Sequence, residues 1–147
     1  AQVTTPCPCA NSGAAGNGCA SSFNANGAHL AAHGAVATDD VVLDGSGMNP
    51  TGNCIFLKGD ANVPTGLAFG DGLRWLDGNL IRLRTKALAS GAASFPDSTD
   101  TITLSARGST PVGSGLTGYY TVYYRNASAA FCPPETFNAA NGFRISW

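Results

Sequence analysis

Cysteine is the residue type in this sequence whose spacing most constrains the chemistry. The chain has five: Cys7, Cys9, Cys19, Cys54 and Cys132. Structural zinc sites usually hold cysteine pairs spaced by two to four residues, whereas a single residue separates Cys7 from Cys9. A redox C-x-x-C motif is also absent from the sequence. Disulfides formed in an oxidising compartment are therefore the predicted use of these residues.

The local sequence suggests how the cysteines pair. A bridge from Cys9 to Cys19 would close a Gly- and Ala-rich loop that has few side chains to pack, restricting it by roughly 2–3 kcal/mol. A bridge from Cys54 to Cys132 would close a loop of about eighty residues. Cys7 is then left over, as an unpaired, intermolecular or inert buried thiol.

Other metal-ligating residue types do not form a convincing site. His29 and His33 share a face of either a helix or a strand, but no acid follows at a matching spacing, so we predict ordinary surface histidines. Asp60, Asp71 and Asp77 lie in Gly-containing segments that resemble calcium loops without the terminal bidentate acid. Tight turns also favour Asp beside Gly. No metal or other cofactor is predicted, and calcium near these aspartates stays an open alternative.

Motifs for nucleophilic catalysis are missing. The sequence lacks G-x-S-x-G, and only two histidines could serve a serine triad. Any two of the nine acids could meet in space as a glycosidase pair, but nothing singles out a pair. We therefore predict that the chain is not an enzyme.

Aromatic residues leave carbohydrate recognition as an alternative function. Exposed rings stack on sugar faces, and Trp75, Tyr119 and Tyr123 are the candidates for glycan contact; the competing interpretation is that these rings fill the core. Asn126-Ala127-Ser128 is a formal N-glycosylation triplet.

The composition narrows the choice of partner and compartment. Charged residues make up 12% of the 147 residues and the formal net charge is −1. The basic residues are spread singly, which argues against a nucleic-acid partner. No apolar run approaches the ~20 residues of a membrane span. The opening residues, AQ, suit the end left by a signal peptidase, so with the cysteines they predict a secreted or cell-surface protein.

Short β-strands separated by turns dominate the pattern. Asn-Gly and Asp-Gly dipeptides recur along the chain. Between them, GNLIRLRTK, DTITLSAR and GFRISW alternate apolar and polar residues, and GYYTVYYRN has large residues on both faces, as in a central strand. In DTITLSAR, Ile102, Leu104 and Ala106 share the predicted inner face. The prediction is an all-β fold, a single β-sandwich of jelly-roll or Ig-like type with about eight strands. Residues 1–26 would form an arm and a disulfide-stapled loop, and residues 27–147 the sandwich.

Three motifs together resemble an uncharacterised domain of secreted proteins from planctomycete-like environmental bacteria. They are CPCANSGAAGNGC at the start, FGDGLRW in the middle and YYRNASAAFCPPETFNAANGFRISW at the end. Where that pattern commonly has a Cys after GDGLR, this chain has Trp75. The resemblance implies a secreted bacterial β-domain, argues against eukaryotic glycosylation of the triplet, and implies no activity.

Low charge and the lack of a visible active site favour a structural role outside the cell. We predict a self-assembling subunit of a filament, sheath or surface layer. Its extended N-terminal arm would add as a strand to a neighbouring copy. The predicted contact residues are Gln2, Val3, Thr4 and Thr5. The alternatives are a carbohydrate-binding or adhesive module and, third, a secreted hydrolase of unrecognised type.

Overall fold

Short strands make up most of the structure, a computed structural model that describes residues 4–147. Ten strands occur in this part of the chain, where about eight were predicted, and the all-β fold class is confirmed. The strands are β1 (His29–His33), β2 (Val42–Ser46), β3 (Asn53–Gly59), β4 (Ala61–Phe69), β5 (Gly72–Asp77), β6 (Ile81–Ala87), β7 (Ala93–Phe95), β8 (Thr117–Arg125), β9 (Phe137–Ala139) and β10 (Phe143–Ser146). A 3-10 turn (Val36–Thr38) follows β1, and helix α1 (Leu104–Arg107) follows β7. Within residues 4–147, no helix has the length and apolar character to cross a bilayer.

Two antiparallel sheets face each other across one hydrophobic core. The first has the order β1-β2-β7 and the second β10-β8-β3-β6, with β9 and β10 following one another along the same edge of β8. Both sheets contribute to the core, which includes Leu30, Leu43, Phe95, Phe56, Leu83, Tyr120, Val122, Tyr124 and Ile145. This arrangement is the predicted β-sandwich.

The hairpin of β4 and β5 lies on the outer face of the second sheet. Side chains alternate along β8, so that Tyr120, Val122 and Tyr124 enter the core while Tyr119, Thr121 and Tyr123 point away from it. β5 contacts both β8 and β9. Thr121 is fully buried despite pointing away from the core. The hairpin therefore covers the middle of this outer face.

The predicted strand pattern holds in two segments and fails in one. In β6 and β10 the inward Leu83 and Ile145 are buried and the intervening arginines are exposed, as predicted. The strand predicted over DTITLSAR is wrong, because α1 begins there. The side chain of Thr103 caps that helix by accepting a hydrogen bond from the Ala106 N–H at 3.2 Å. Ser105 is consequently buried and Ala106 exposed, the reverse of the predicted alternation.

Side chains cover the backbone of two strands at sheet edges. Arg107 donates from Nε to the Leu83 carbonyl at 2.9 Å and from Nη2 to the Arg82 carbonyl at 2.7 Å, both on β6. Asn141 accepts a hydrogen bond from the Leu30 N–H at 2.7 Å and donates to the Leu30 carbonyl at 3.0 Å. These bonds occupy backbone groups that an added strand would need.

The disulfides are Cys7–Cys19 and Cys9–Cys132, so the predicted pairing is wrong. Cys7 and Cys9 lie two residues apart, so each can reach a different partner. Cys54 is the free cysteine, fully buried in β3 on the same face as the core residue Phe56. Its thiol is therefore enclosed between the sheets. Burial raises the pKa of the Cys54 thiol to about 11.

We expect one thiol that reacts only when the protein unfolds. The native protein should show no reaction with a thiol-specific reagent at pH 8, because a buried neutral thiol is a poor nucleophile. After denaturation without reduction, one thiol per chain should react with the reagent. In denatured C54A, no thiol should react. Reaction of one equivalent in the native state would contradict the burial of Cys54.

Candidate functional site

Two of the three predicted glycan-contact residues meet in one groove. Trp75 of β5 and Tyr119 of β8 line a groove of about 430 Å³ on one side of the β4–β5 hairpin, and both side chains are half-buried. We call it the Trp75 groove. Its remaining lining residues are Gly16, Asn17, Asn62, Leu76, Asn141, Gly142, Phe143 and Arg144.

Two glycines fix the position of the indole. The pairing of β4 with β5 is irregular between Asn62 and Leu67, and in that bulge Gly66 has φ +76°. A Cβ built on Gly66 would lie 3.2 Å from the six-membered ring of Trp75, and one on Gly142 would lie 2.8 Å from the Trp75 Cβ. The indole is therefore seated closely on backbone at both points.

Some polar side chains around Trp75 and Tyr119 already form hydrogen bonds within the protein, and others do not. The side chain of Asn141 is bonded to Leu30, and that of Asn17 donates to the Asn26 carbonyl at 3.1 Å. Within residues 4–147 the exposed side chains of Asn62 and Arg144 form no hydrogen bond or ion pair. The groove thus combines aromatic surface with available amide and guanidinium donors, the combination that recognises a polar ring with one apolar face.

Tyr123 does not belong to the Trp75 groove. It points outward from β8 like Tyr119, but it packs edge-on against Phe69 with ring centroids 5.3 Å apart. It contributes to a different groove, which also contains Arg74. The sequence analysis named Trp75, Tyr119 and Tyr123 together as glycan-contact candidates. In the structure, the β4–β5 hairpin separates Tyr123 from the other two.

The arm residues predicted to contact a neighbouring subunit are only partly described. Gln2 and Val3 lie outside the described residues, and Thr4 is exposed. Thr5 donates from its backbone N–H to the Thr65 carbonyl and from its hydroxyl to the Gly66 carbonyl, both at 2.7 Å. Thr5 is therefore hydrogen-bonded to β4 of its own chain.

An acidic cleft of about 660 Å³ contains Asp39, Asp40, Asp97 and Asp100. Hydrogen bonds from the Ala35 N–H and the Thr38 hydroxyl lower the pKa of Asp40. Hydrogen bonds from Thr99, then Lys86, lower the pKa of Asp97. A catalytic acid in a glycosidase needs a raised pKa, so the shifts in this cleft run opposite to that requirement.

His33 lies beside the same cleft in an arrangement that differs from a catalytic triad. Its Nδ1 is 2.5 Å from Asp44 Oδ2, and the Ser94 hydroxyl donates to Asp44 Oδ1 at 2.6 Å. The carboxylate therefore lies between the serine and the histidine, whereas a triad needs the histidine beside the serine. Both His33 and His29 are exposed, as predicted for surface histidines.

The three aspartates considered for calcium have separate partners. Asp60 accepts hydrogen bonds from Asn79, Asp77 pairs with Arg74 at 3.0 Å, and Asp71 is buried elsewhere. In the described part of the chain, no three metal-ligating side chains come together.

A buried polar cluster beneath the N-terminal segment has no counterpart in the sequence predictions. Asp71, fully buried, accepts a hydrogen bond from the Asn126 amide, and Asn126 accepts hydrogen bonds from the backbone and hydroxyl of Ser22. Asn11 donates to the carbonyls of Ala20 and Asp71 at 2.7 and 2.8 Å. Burial raises the pKa of Asp71 to about 6. Because Asn126 is buried, its amide is inaccessible for glycosylation in the folded chain. The polar character of these residues gave no sign that they would be buried together.

We expect the stability to fall as the pH rises through the pKa of Asp71. The folded-state pKa lies above the ~3.9 of an unfolded aspartate, so folding favours the protonated form. The free energy of unfolding should therefore decrease between about pH 4 and pH 6–7, by about 3 kcal/mol. Denaturant titrations at a series of pH values measure this.

The matched variants are D71N and D39N. D71N should flatten this part of the profile, because its side chain does not titrate. D39N removes a half-buried carboxylate that lies outside this cluster, and it should leave the profile unchanged. If D71N followed the wild-type curve, the titrating group would not be Asp71.

Comparison with known proteins finds no family model, no curated protein and no solved structure that matches this chain.

Proposed function

We propose that this chain is a non-catalytic carbohydrate-binding module of a secreted or cell-surface protein, and that the Trp75 groove is its binding site. The observation that carries the proposal is the meeting of Trp75 and Tyr119 in one groove with Asn62 and Arg144, whose side chains have no hydrogen-bond partner in the described part of the chain. Aromatic faces stack on the apolar face of a sugar ring, while amide and guanidinium groups donate to its hydroxyls.

Seating of the indole on backbone supports this role. A side chain fixed before binding loses little conformational freedom when the ligand arrives, which favours affinity. Contact with Gly66 and Gly142 fixes Trp75 in this way. The disulfides are compatible with an extracellular location, where polysaccharides are available as ligands.

Substitutions in the groove test the proposal. A glycan array followed by titration calorimetry should identify a bound saccharide. W75A should then weaken binding by about tenfold or more, because stacking on the indole is lost. N62A and R144Q change exposed side chains, and each should weaken binding less than W75A without altering thermal stability.

Phe23 provides the matched control. It is an exposed aromatic residue, with 55% of its surface accessible, that does not line the groove. F23A should bind the saccharide as tightly as the wild type. Absence of saccharide binding by the wild type, or equal weakening by F23A and W75A, would overturn the proposed site.

Self-assembly into a filament, sheath or surface layer is the second candidate. The exposed apolar side chains of Phe23, Val112 and Leu116 favour it, since contact with other copies would cover them. Two observations weigh against strand addition: Thr5 is bonded within its own chain, and Asn141 and Arg107 occupy strand-edge groups.

Electron microscopy separates the two candidates. Self-assembly predicts regular filaments of the purified protein that disappear when residues 1–6 are removed. Carbohydrate binding predicts a monomer with and without these residues, with unchanged glycan affinity.

A further inference from the structure

A second groove, on the other side of the β4–β5 hairpin, contains three arginines. It has a volume of about 610 Å³ and is lined by Arg74 of β5, Arg82 of β6 and Arg107 of α1. We call it the arginine groove. Its other lining residues are Leu57, Phe69, Leu80, Ile81 and Tyr123. No carboxylate lines it, although the whole chain has more acidic than basic residues.

Two of the guanidinium groups are held in place by the protein. Arg74 donates from Nε to the Leu76 carbonyl at 2.9 Å and lies over the Phe69 ring, 5.3 Å from its centroid. Arg107 donates from Nε and Nη2 to carbonyls of β6. In each group a nitrogen remains without a hydrogen bond among the described residues. A fixed guanidinium with free donors is preorganised to bind an oxyanion.

Positive charge in this groove is only partly balanced. Asp77 pairs with Arg74 at 3.0 Å and is the only carboxylate within ion-pair distance of the three guanidinium groups in residues 4–147. Arg82 is exposed and forms neither a side-chain hydrogen bond nor an ion pair in that range. The groove thus has two more positive charges than negative ones. An anionic ligand would balance that excess and benefit from electrostatic attraction.

The remaining lining indicates a ligand larger than a free inorganic anion. Tyr123 and Phe69 pack edge to face, and Leu57 and Ile81 add aliphatic surface. A simple anion would leave this apolar surface unused. A ring that has one apolar face and a carboxylate or sulfate substituent would contact both parts of the groove.

We propose that the arginine groove binds an acidic saccharide through a carboxylate or sulfate group. Arg74, Arg82 and Arg107 would hold the oxyanion, and Tyr123 would contact the sugar ring. This site is separate from the Trp75 groove and does not depend on the carbohydrate-binding role proposed for it.

Arg82 is the residue to change, because its side chain is exposed and has no ion-pair or hydrogen-bond partner among residues 4–147. Arg107 also covers the edge of β6, so its loss would disturb the fold as well. R82Q keeps the backbone carbonyl that Arg107 uses and should leave thermal stability unchanged. R125Q is the matched control, since Arg125 is an exposed arginine of β8 that does not line this groove.

Titration calorimetry at low salt should use four probes: a galacturonate oligosaccharide, a sulfated oligosaccharide, a neutral oligosaccharide and inorganic sulfate. We expect at least one acidic oligosaccharide to bind, more weakly as salt rises, and more tightly than the neutral probe or free sulfate. R82Q should weaken this binding by about tenfold. R125Q and W75A should leave it unchanged.

Several outcomes would overturn the assignment. Failure of both acidic oligosaccharides to bind would exclude the ligand class. If R82Q and R125Q weakened acidic-saccharide binding equally, the attraction would be non-specific electrostatics. If inorganic sulfate bound as tightly as the acidic oligosaccharide, the sugar ring would contribute nothing to binding. Loss of acidic-saccharide binding in W75A would place the ligand in the Trp75 groove. If W75A left the affinity for neutral glycans unchanged, only the proposal for the Trp75 groove would be contradicted.

Discussion

Burial of both faces of β8 is the constraint on which the rest of the structure depends. One face contributes Tyr120, Val122 and Tyr124 to the core between the sheets. The other face places Thr121 under the β4–β5 hairpin, with Tyr119 and Tyr123 at its two sides. A strand with large side chains on both faces needs cover on both. Because a two-stranded hairpin covers only the middle, it leaves a groove on each side.

Amide side chains hold the N-terminal segment where apolar packing is scarce. Asn138 donates to the Ala20 carbonyl at 2.9 Å, and Asn11 donates to the same carbonyl and to that of Asp71. Buried backbone groups need such partners when no strand supplies them. The Cys9–Cys132 disulfide ties this segment covalently to the loop between β8 and β9, and the Cys7–Cys19 disulfide closes a loop within the segment. The same arrangement confines the Asp71 carboxylate away from water, which raises its pKa.

The distribution of polar groups is the reason that we propose ligand recognition as the function. Carboxylates in the acidic cleft already accept hydrogen bonds from turns and from Lys86. Among residues 4–147, side-chain donors without a hydrogen-bond partner line the two grooves that contain aromatic rings: Asn62 and Arg144 in one groove, and Arg82 in the other. Donors next to rings bind polar ligands, whereas catalysis requires a titratable group with a suitable pKa at a substrate-accessible position.

The sequence by itself determined the local features of this protein. Alternation identified β6 and β10, large residues on both faces identified β8 as a central strand, the turn dipeptides indicated an all-β fold, and the five cysteines indicated disulfides. Only the tertiary structure decided that Cys54 is enclosed while Cys9 meets Cys132, and that Trp75 joins Tyr119 but not Tyr123. Alternation and turns depend on neighbouring residues, which the sequence contains directly. Disulfide partners and groove walls come from distant segments, and their meeting depends on strand order and on the path of one hairpin.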